Sequence, residues 1–136
     1  MTTNRAVRWL RVCYWIGAII DGLFAVVMIS PPAVGGKLFG IDDFHPGPEY
    51  RYAMFVGAAL MAGWTALLIW ADRKPLERKG VILLTVVPVI CGLVGANVYA
   101  VSTGMVAVAH MLPMWIMQAG LVALFTFAYV NAGRKA

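Results

Sequence analysis

One acidic residue, Asp21, lies well inside an apolar segment that runs from Trp9 to Ile29. At a rise of about 1.5 Å per residue, it is about 18 Å from one end of that segment and about 12 Å from the other. An acidic side chain at such a depth in a membrane costs about 2.5–3.5 kcal/mol on insertion scales, so it usually has a function and a partner. The alternative is structural, with a protonated or paired Asp21 hydrogen-bonded between helices.

Other polar side chains are expected near the outer ends of the remaining apolar segments. His110 and Asn97 each lie about 6 Å from the end of a segment, which predicts that they share one depth. Glu49 and Arg51 begin another segment, from which a long side chain can reach toward a cavity. These positions approach the depth of Asp21.

The fourth apolar segment carries a mixed face that could lie opposite Asp21. That face consists of His110, Met114, Met117, Gln118 and Leu121. Pro113 is expected to bend the helix and to free a backbone carbonyl, so the face would line a pocket that opens outward. The predicted ligand-binding residues are Asp21, His110, Gln118, Asn97, Glu49 and Arg51. The simpler interpretations are a histidine near the headgroups, an interhelical glutamine and packing methionines.

The sequence contains few other candidates for chemistry. The two histidines, His45 and His110, do not have the spacing of a metal-binding pair. Cys13 and Cys91 are far apart in hydrophobic segments, which predicts two buried thiols and no redox-active pair. We therefore expect no catalytic residue, no metal and no cofactor, while the question of enzymatic activity stays open.

Four apolar segments must position these side chains. The chain has 136 residues, of which 62% are hydrophobic and 12% charged, far more apolar than a soluble domain. Because backbone groups in lipid must pair within the structure, and strand-like alternation is absent, helices are favoured over a barrel. The predicted spans are 9–29, 50–71, 81–101 and 106–130, with an outer connection at 30–49, in a single domain over 1–136.

The basic residues predict the orientation of these spans. Nine of the eleven Lys and Arg residues fall on one side, namely Arg5, Arg8, Arg11, Arg73, Lys74, Arg78, Lys79, Arg134 and Lys135. The other side has Lys37 and Arg51, together with the acidic Asp42, Asp43 and Glu49. The positive-inside rule then predicts an all-α, integral membrane four-helix bundle, N-in/C-in, in the inner (cytoplasmic) membrane. Basic residues that border spans do not form a nucleic-acid surface, so the expected partner is the lipid bilayer.

Small residues predict where the helices meet. Asp21 shares a helical face with Gly17, Ala18 and Ala25, which turns it toward packed protein and away from lipid. Further small residues in the second and third spans predict close helix contact there: Ala53, Gly57, Ala59, Gly63, Gly92, Gly95 and Ala96. If Ala53 and Gly57 faced outward, they would also favour a homodimer.

The first two spans and their connection contain a series of short motifs. These are Pro31-Pro32, Leu38-Phe39-Gly40-Ile41, Pro48-Glu49-Tyr50-Arg51-Tyr52-Ala53, the glycines Gly57 and Gly63, and Arg73-Lys74-Pro75. In these features the chain resembles the small four-helix bacterial membrane proteins of the DoxX-like group. The resemblance implies a four-helix bundle in the cytoplasmic membrane, with Glu49 and Arg51 as an outer polar feature. The group takes its name from a subunit of a quinone-linked oxidase.

Three functions are compatible with these observations. The first is binding of a lipid or other hydrophobic small molecule in an outward-facing polar pocket, or service as a membrane accessory subunit. The second is a dimeric proton-coupled exporter that uses Asp21, since small multidrug transporters also have four spans and a carboxylate in the first. The third, a quinone-linked redox subunit, is implied by the resemblance alone. The long outer connection and the biased charge favour binding over transport.

Overall fold

The fold is all-helical along the part of the chain that the structure, a computed structural model, describes, which is residues 3–41 and 44–133. Its helices are α1 (Thr3–Ile29), α2 (Pro32–Leu38), α3 (Pro48–Asp72), α4 (Gly80–Ser102) and α5 (Val108–Gly133). Within these described ranges, four helices are long and apolar enough to cross a membrane, all except α2. Asp42, Asp43, Arg134 and Lys135 lie outside the described residues.

The four predicted spans correspond to α1, α3, α4 and α5, with different ends. α1 begins at Thr3, before Trp9, because the basic N-terminal segment continues the helix. Helix α2 lies inside the outer connection and was not predicted. It begins at Pro32, where a proline ring already has a helical φ and the missing N–H is not needed. α5 continues through Pro113.

The helices are not equally packed against one another. α1 packs along most of α3 and also against α5, while α4 packs mainly against α5. α3 and α4 meet over a small area, where Trp64 Nε1 donates a hydrogen bond of 3.2 Å to Thr85 Oγ1. The bundle is therefore built on α1, with α4 packed against α5 and touching α3 only at this small contact.

The core is densest at the end of the bundle that carries the 73–79 turn, which we call the inner end. Side chains that are at most 1% exposed pack there, among them Leu10, Tyr14, Leu68, Ile82 and Phe125. This cluster therefore closes the inner end.

Polar contacts fasten the 73–79 turn to the helices. The Tyr14 hydroxyl donates to the carbonyl oxygens of Arg78 at 3.0 Å and of Pro75 at 3.4 Å. The Arg78 guanidinium donates to the Trp70 carbonyl and lies over the Trp70 ring, 3.4 Å from its centroid. Because a buried tyrosine hydroxyl needs a partner, the turn and α1 stabilise each other.

Helix α4 changes its hydrogen bonding at Thr85–Ile90, which forms a π-helical turn around Pro88. Proline has no N–H to donate, and the wider turn restores pairing, since the Cys91 N–H reaches the Val86 carbonyl. The two halves of α4 differ in burial. Val81, Ile82 and Thr85 are buried, whereas Cys91–Ser102 contains no buried residue.

The predicted small-residue contacts are wrong at three glycines. A Cβ placed on Gly63, Gly92 or Gly95 would meet no other atom within 4 Å, so these positions face open space beside the helices. Gly57 instead faces α1, where a Cβ would lie 3.3 Å from Met28 Sδ, and it does not face outward as a dimer contact would require. A small-residue pattern marks a face but does not specify its neighbour.

The two thiols also differ in their surroundings. Cys13 is buried, as predicted, with its Sγ 3.9 Å from the Leu124 carbonyl oxygen. Cys91 is exposed, so the prediction of a second buried thiol is wrong. The apolar segment around Cys91 contributes its surface to the outside of the bundle.

Candidate functional site

A cavity of about 150 Å³ lies between the four long helices. On α1 its lining extends from Gly17 to Met28, a length of about 16 Å. An apolar cavity of about this volume can hold a small aromatic molecule. Most of its wall is apolar, and the polar residues that line it are Asp21, Thr85, Asn97 and Gln118. We call it the central cavity.

Asp21 is the charged residue of the central cavity. It is 8% exposed, which confirms that it faces packed protein and not lipid. Its Oδ2 atom is buried without a hydrogen-bond partner among the described residues. A buried acceptor that lacks a partner costs about 1–3 kcal/mol, and a charged one costs more. The carboxylate is therefore an acceptor that a ligand could satisfy.

Asn97 and Gln118 form a pair on the opposite wall. Asn97 Nδ2 donates to Gln118 Oε1 at 3.3 Å, which links α4 to α5. Gln118 is 4% exposed, so this bond lies inside the bundle. Each side-chain amide has both a donor and an acceptor group. Because this bond uses Asn97 Nδ2 and Gln118 Oε1, the Gln118 Nε2 donor and the Asn97 Oδ1 acceptor stay available to a ligand.

The remaining polar residue of the cavity, Thr85, already has its partners. Its hydroxyl donates to the Val81 carbonyl at 2.8 Å and accepts from Trp64 Nε1. Sequence reasoning did not select Thr85 or Trp64. A threonine and a tryptophan are common in apolar spans, and only their contact reveals that they join two helices.

His110 lies outside the central cavity. The pairing of Asn97 with Gln118 overturns the prediction that Asn97 and His110 share one depth, since His110 is two helical turns, about 12 Å, nearer the outer end of α5. His110 is exposed and its ring rests on Gly40, where a Cβ would lie 2.5 Å from His110 Nε2. Gly40 has φ +67°, a conformation that favours glycine.

A second cavity, of about 380 Å³, lies at the outer end, opposite the 73–79 turn. The end of α1, the start of α3 and the end of α4 form it together with α2 and the segment that precedes α5. Phe39, Ile41 and Phe44 of the outer connection also line it. We call it the outer cavity. Arg51 lines it, whereas Glu49 is exposed in the first turn of α3.

Two side chains, Met28 and Phe39, line both cavities and so stand between them. Phe39 follows α2, in the segment that carries the Leu38-Phe39-Gly40-Ile41 motif. The motif was noted in the sequence, but the role of Phe39 as a partition was not, because it depends on how the outer connection folds over the helices.

Other kinds of site receive no support from the described ranges. Within residues 3–41 and 44–133, no three His, Cys, Asp or Glu side chains cluster as metal ligands would. No protein-family model, curated protein or solved structure matches this chain. The chemistry of the two cavity walls is therefore what indicates a function.

Proposed function

We propose that this protein crosses the cytoplasmic membrane four times, with both ends inside, and binds a hydrophobic small molecule in the central cavity. The ligand has an apolar body and a head that donates a hydrogen bond to Asp21, such as an ammonium or a hydroxyl group. The observation that carries the proposal is the buried Asp21 Oδ2, which lacks a partner and lines an otherwise mostly apolar cavity. A small number of polar groups in an apolar pocket is typical of small-molecule sites.

The clustering of basic segments at the inner end supports the proposed orientation. Arg11 Nε lies 3.7 Å from Asp72 Oδ1, which brings the N-terminal segment beside the 73–79 turn. The end of α5 reaches the same region, since a Cβ on Gly133 would lie 3.8 Å from Lys79 Nζ. Two basic segments and the end of α5 therefore lie at one end of the bundle, which agrees with the positive-inside rule.

Binding is favoured over the alternative of a proton-coupled exporter. Transport with Asp21 requires that the carboxylate be reached from each side in turn, and below the cavity Leu68 and Phe125 are 0% and 1% exposed. The exporter predicts that Asp21→Asn abolishes proton-driven release of a cationic substrate from vesicles. Membership of the DoxX-like group, and with it a quinone-linked role, rests on the sequence motifs alone.

The binding proposal can be tested with decylamine, whose ammonium head and alkyl chain match the cavity chemistry. The protein is purified in a non-ionic detergent and its affinity is measured by calorimetry. Asp21→Asn should weaken decylamine binding about 10-fold to 100-fold, because a hydrogen bond to a charged group contributes about 1.5–3 kcal/mol. The matched control is Asp72→Asn, the same change at a carboxylate outside the cavity, whose Oδ1 also lacks a hydrogen bond but lies 3.7 Å from Arg11 Nε.

The stability of the unliganded variant gives a second measurement. If Asp21 lacks a partner until a ligand binds, Asp21→Asn should unfold at a temperature equal to or above that of the unliganded wild type, since a buried charge is removed. A purely structural Asp21 would give the reverse pattern, with lower stability and unchanged decylamine affinity. That pattern would refute the proposal.

A further inference from the structure

We propose that the outer cavity is a second binding site, which takes a single-chain amphiphile with an anionic carboxylate or phosphate head held by Arg51. This site differs from the Asp21 site in place and in charge. Arg51 contacts the Ser30 carbonyl, and Ser30 is about 14 Å from Asp21 along the helix axis. Met28 and Phe39 lie between the two cavities.

The walls of the outer cavity suit an alkyl chain. Its volume of about 380 Å³ falls within the range of small-molecule sites, about 300–1,000 Å³. Apolar side chains from four helices and the outer connection form most of the wall, including Met28, Phe39, Phe44, Met54 and Val106. Phe44 packs edge-to-face against Tyr50 in this part of the wall, with ring centroids 5.0 Å apart.

Arg51 gives the cavity a cationic group with free hydrogen-bonding capacity. Its Nη1 donates to the Ser30 carbonyl at 3.5 Å, which is long for a hydrogen bond, and its Cζ lies 5.2 Å from the Phe55 ring centroid. A guanidinium has five N–H donors in a planar fork, so these two contacts leave most of them available. That fork matches the two oxygens of a carboxylate or phosphate.

The charges nearby also favour an anion at this position. Among the described residues, no carboxylate lies within ion-pair distance of Arg51, and the adjacent Glu49 is exposed outside the cavity wall. Asp21 would repel an anion from the central cavity. An amphiphile with a negative head is therefore directed to Arg51, and one with a positive head to Asp21.

Decanoate and decylamine, which have ten-carbon chains and opposite charges, separate the two sites. Arg51→Gln should weaken decanoate binding about 10-fold to 100-fold and leave decylamine binding unchanged. Arg51→Lys, which keeps the charge but loses the fork, should weaken decanoate binding by less. The matched control is Lys37→Gln, because Lys37 is the other basic residue of the outer side and is exposed outside the cavity.

Measuring decanoate and decylamine binding in the wild type, in Arg51→Gln and in Asp21→Asn shows which proposal fails. Decanoate affinity that is equal in the wild type and in Arg51→Gln, with a melting temperature that shows both are folded, would overturn the outer site while leaving the Asp21 site intact. Decanoate binding that is lost in Asp21→Asn but kept in Arg51→Gln would also overturn it. If both Arg51→Gln and Asp21→Asn keep the decylamine affinity of the wild type, the Asp21 site alone is refuted.

An anionic head group can come from a free fatty acid or from a phospholipid, and a further pair of samples distinguishes these two sources. In nanodiscs of phosphatidylcholine, added decanoate tests a free carboxylate. In nanodiscs that contain phosphatidylglycerol, native mass spectrometry tests retention of a phospholipid, which Arg51→Gln should release. Arg51-dependent binding in either sample supports the proposal, and its absence from both overturns it.

Discussion

The glycine at the floor of the central cavity allows a stringent test of the helix packing. Gly17 lies on α1 where α3 and α5 converge. A Cβ at this position would be 3.0 Å from Leu68 Cδ1 and 3.4 Å from Phe125 Cζ. Leu68 is 0% exposed and does not line the cavity, so its Cδ1 has little room to move away, whereas Phe125 borders the cavity. Gly17→Ala therefore adds one methyl group against the packed Leu68 side chain.

Two opposing effects set the size of the change. Alanine is favoured over glycine in a helix by about 1 kcal/mol, which stabilises any Gly→Ala variant in α1 or α3. An added methyl in a well-packed core costs about 1–3 kcal/mol. Gly63→Ala is the matched control, because Gly63 is also inside a long helix and its Cβ would meet nothing within 4 Å. Subtracting the free energy of unfolding of one variant from that of the other cancels the helix-propensity contribution, which both share.

We expect Gly17→Ala to be about 1–3 kcal/mol less stable than Gly63→Ala. The free energy of unfolding can be measured by titration with sodium dodecyl sulfate in mixed micelles, followed by the fluorescence of the five tryptophans. Gly63→Ala should be at least as stable as the wild type. Equal stability of the two variants would mean that Leu68 and Phe125 do not pack over Gly17, and would refute the geometry of the cavity floor.

Two further predictions concern the outer half. Phe39→Ala should join the two cavities. Lengthening decylamine to tetradecylamine should then increase affinity more in this variant than in the wild type, by about 0.8 kcal/mol per buried methylene. If affinity depends on chain length equally in both proteins, Phe39 does not separate the cavities. Gly40→Ala should destabilise the protein by about 1–2 kcal/mol through its positive φ, and by a further amount through the clash with His110. In a double-mutant cycle His110→Ala should remove only the clash, so strict additivity would place His110 away from Gly40.

The helices and the burial of Asp21 could be predicted from the sequence. Apolar segments of this length have a clear composition signal, and the small residues that share the face of Asp21 indicated packed protein around it. Helix ends were less accurate, because a basic or proline-containing flank can extend a helix, as at Thr3 and Pro48, and the short helix α2 was not predicted.

The relative shift of neighbouring helices could not be predicted. Depth was assigned by counting residues from the end of each apolar segment, which assumes that all segments begin at one plane. The Asn97–Gln118 hydrogen bond shows that α4 and α5 are offset, so His110 lies farther out than counting suggests. Similarly, the glycines at 63, 92 and 95 predicted helix contacts, but they have no neighbour among the residues that the structure describes.

The uneven burial of α4 has a mechanical consequence. Its inner half is fixed by the buried Val81 and Ile82, whereas the segment Cys91–Ser102 contains no buried residue and is held by fewer contacts. The π-helical turn between the two halves can act as a hinge. The hydrogen bond from Asn97 to Gln118 restrains movement about this hinge, and a hydrogen bond of this kind contributes only about 0.5–1.5 kcal/mol. In the membrane orientation proposed above, a change in bilayer thickness or curvature would therefore act on the outer half of α4, and on the volume of the central cavity that it lines, before it disturbed the inner core.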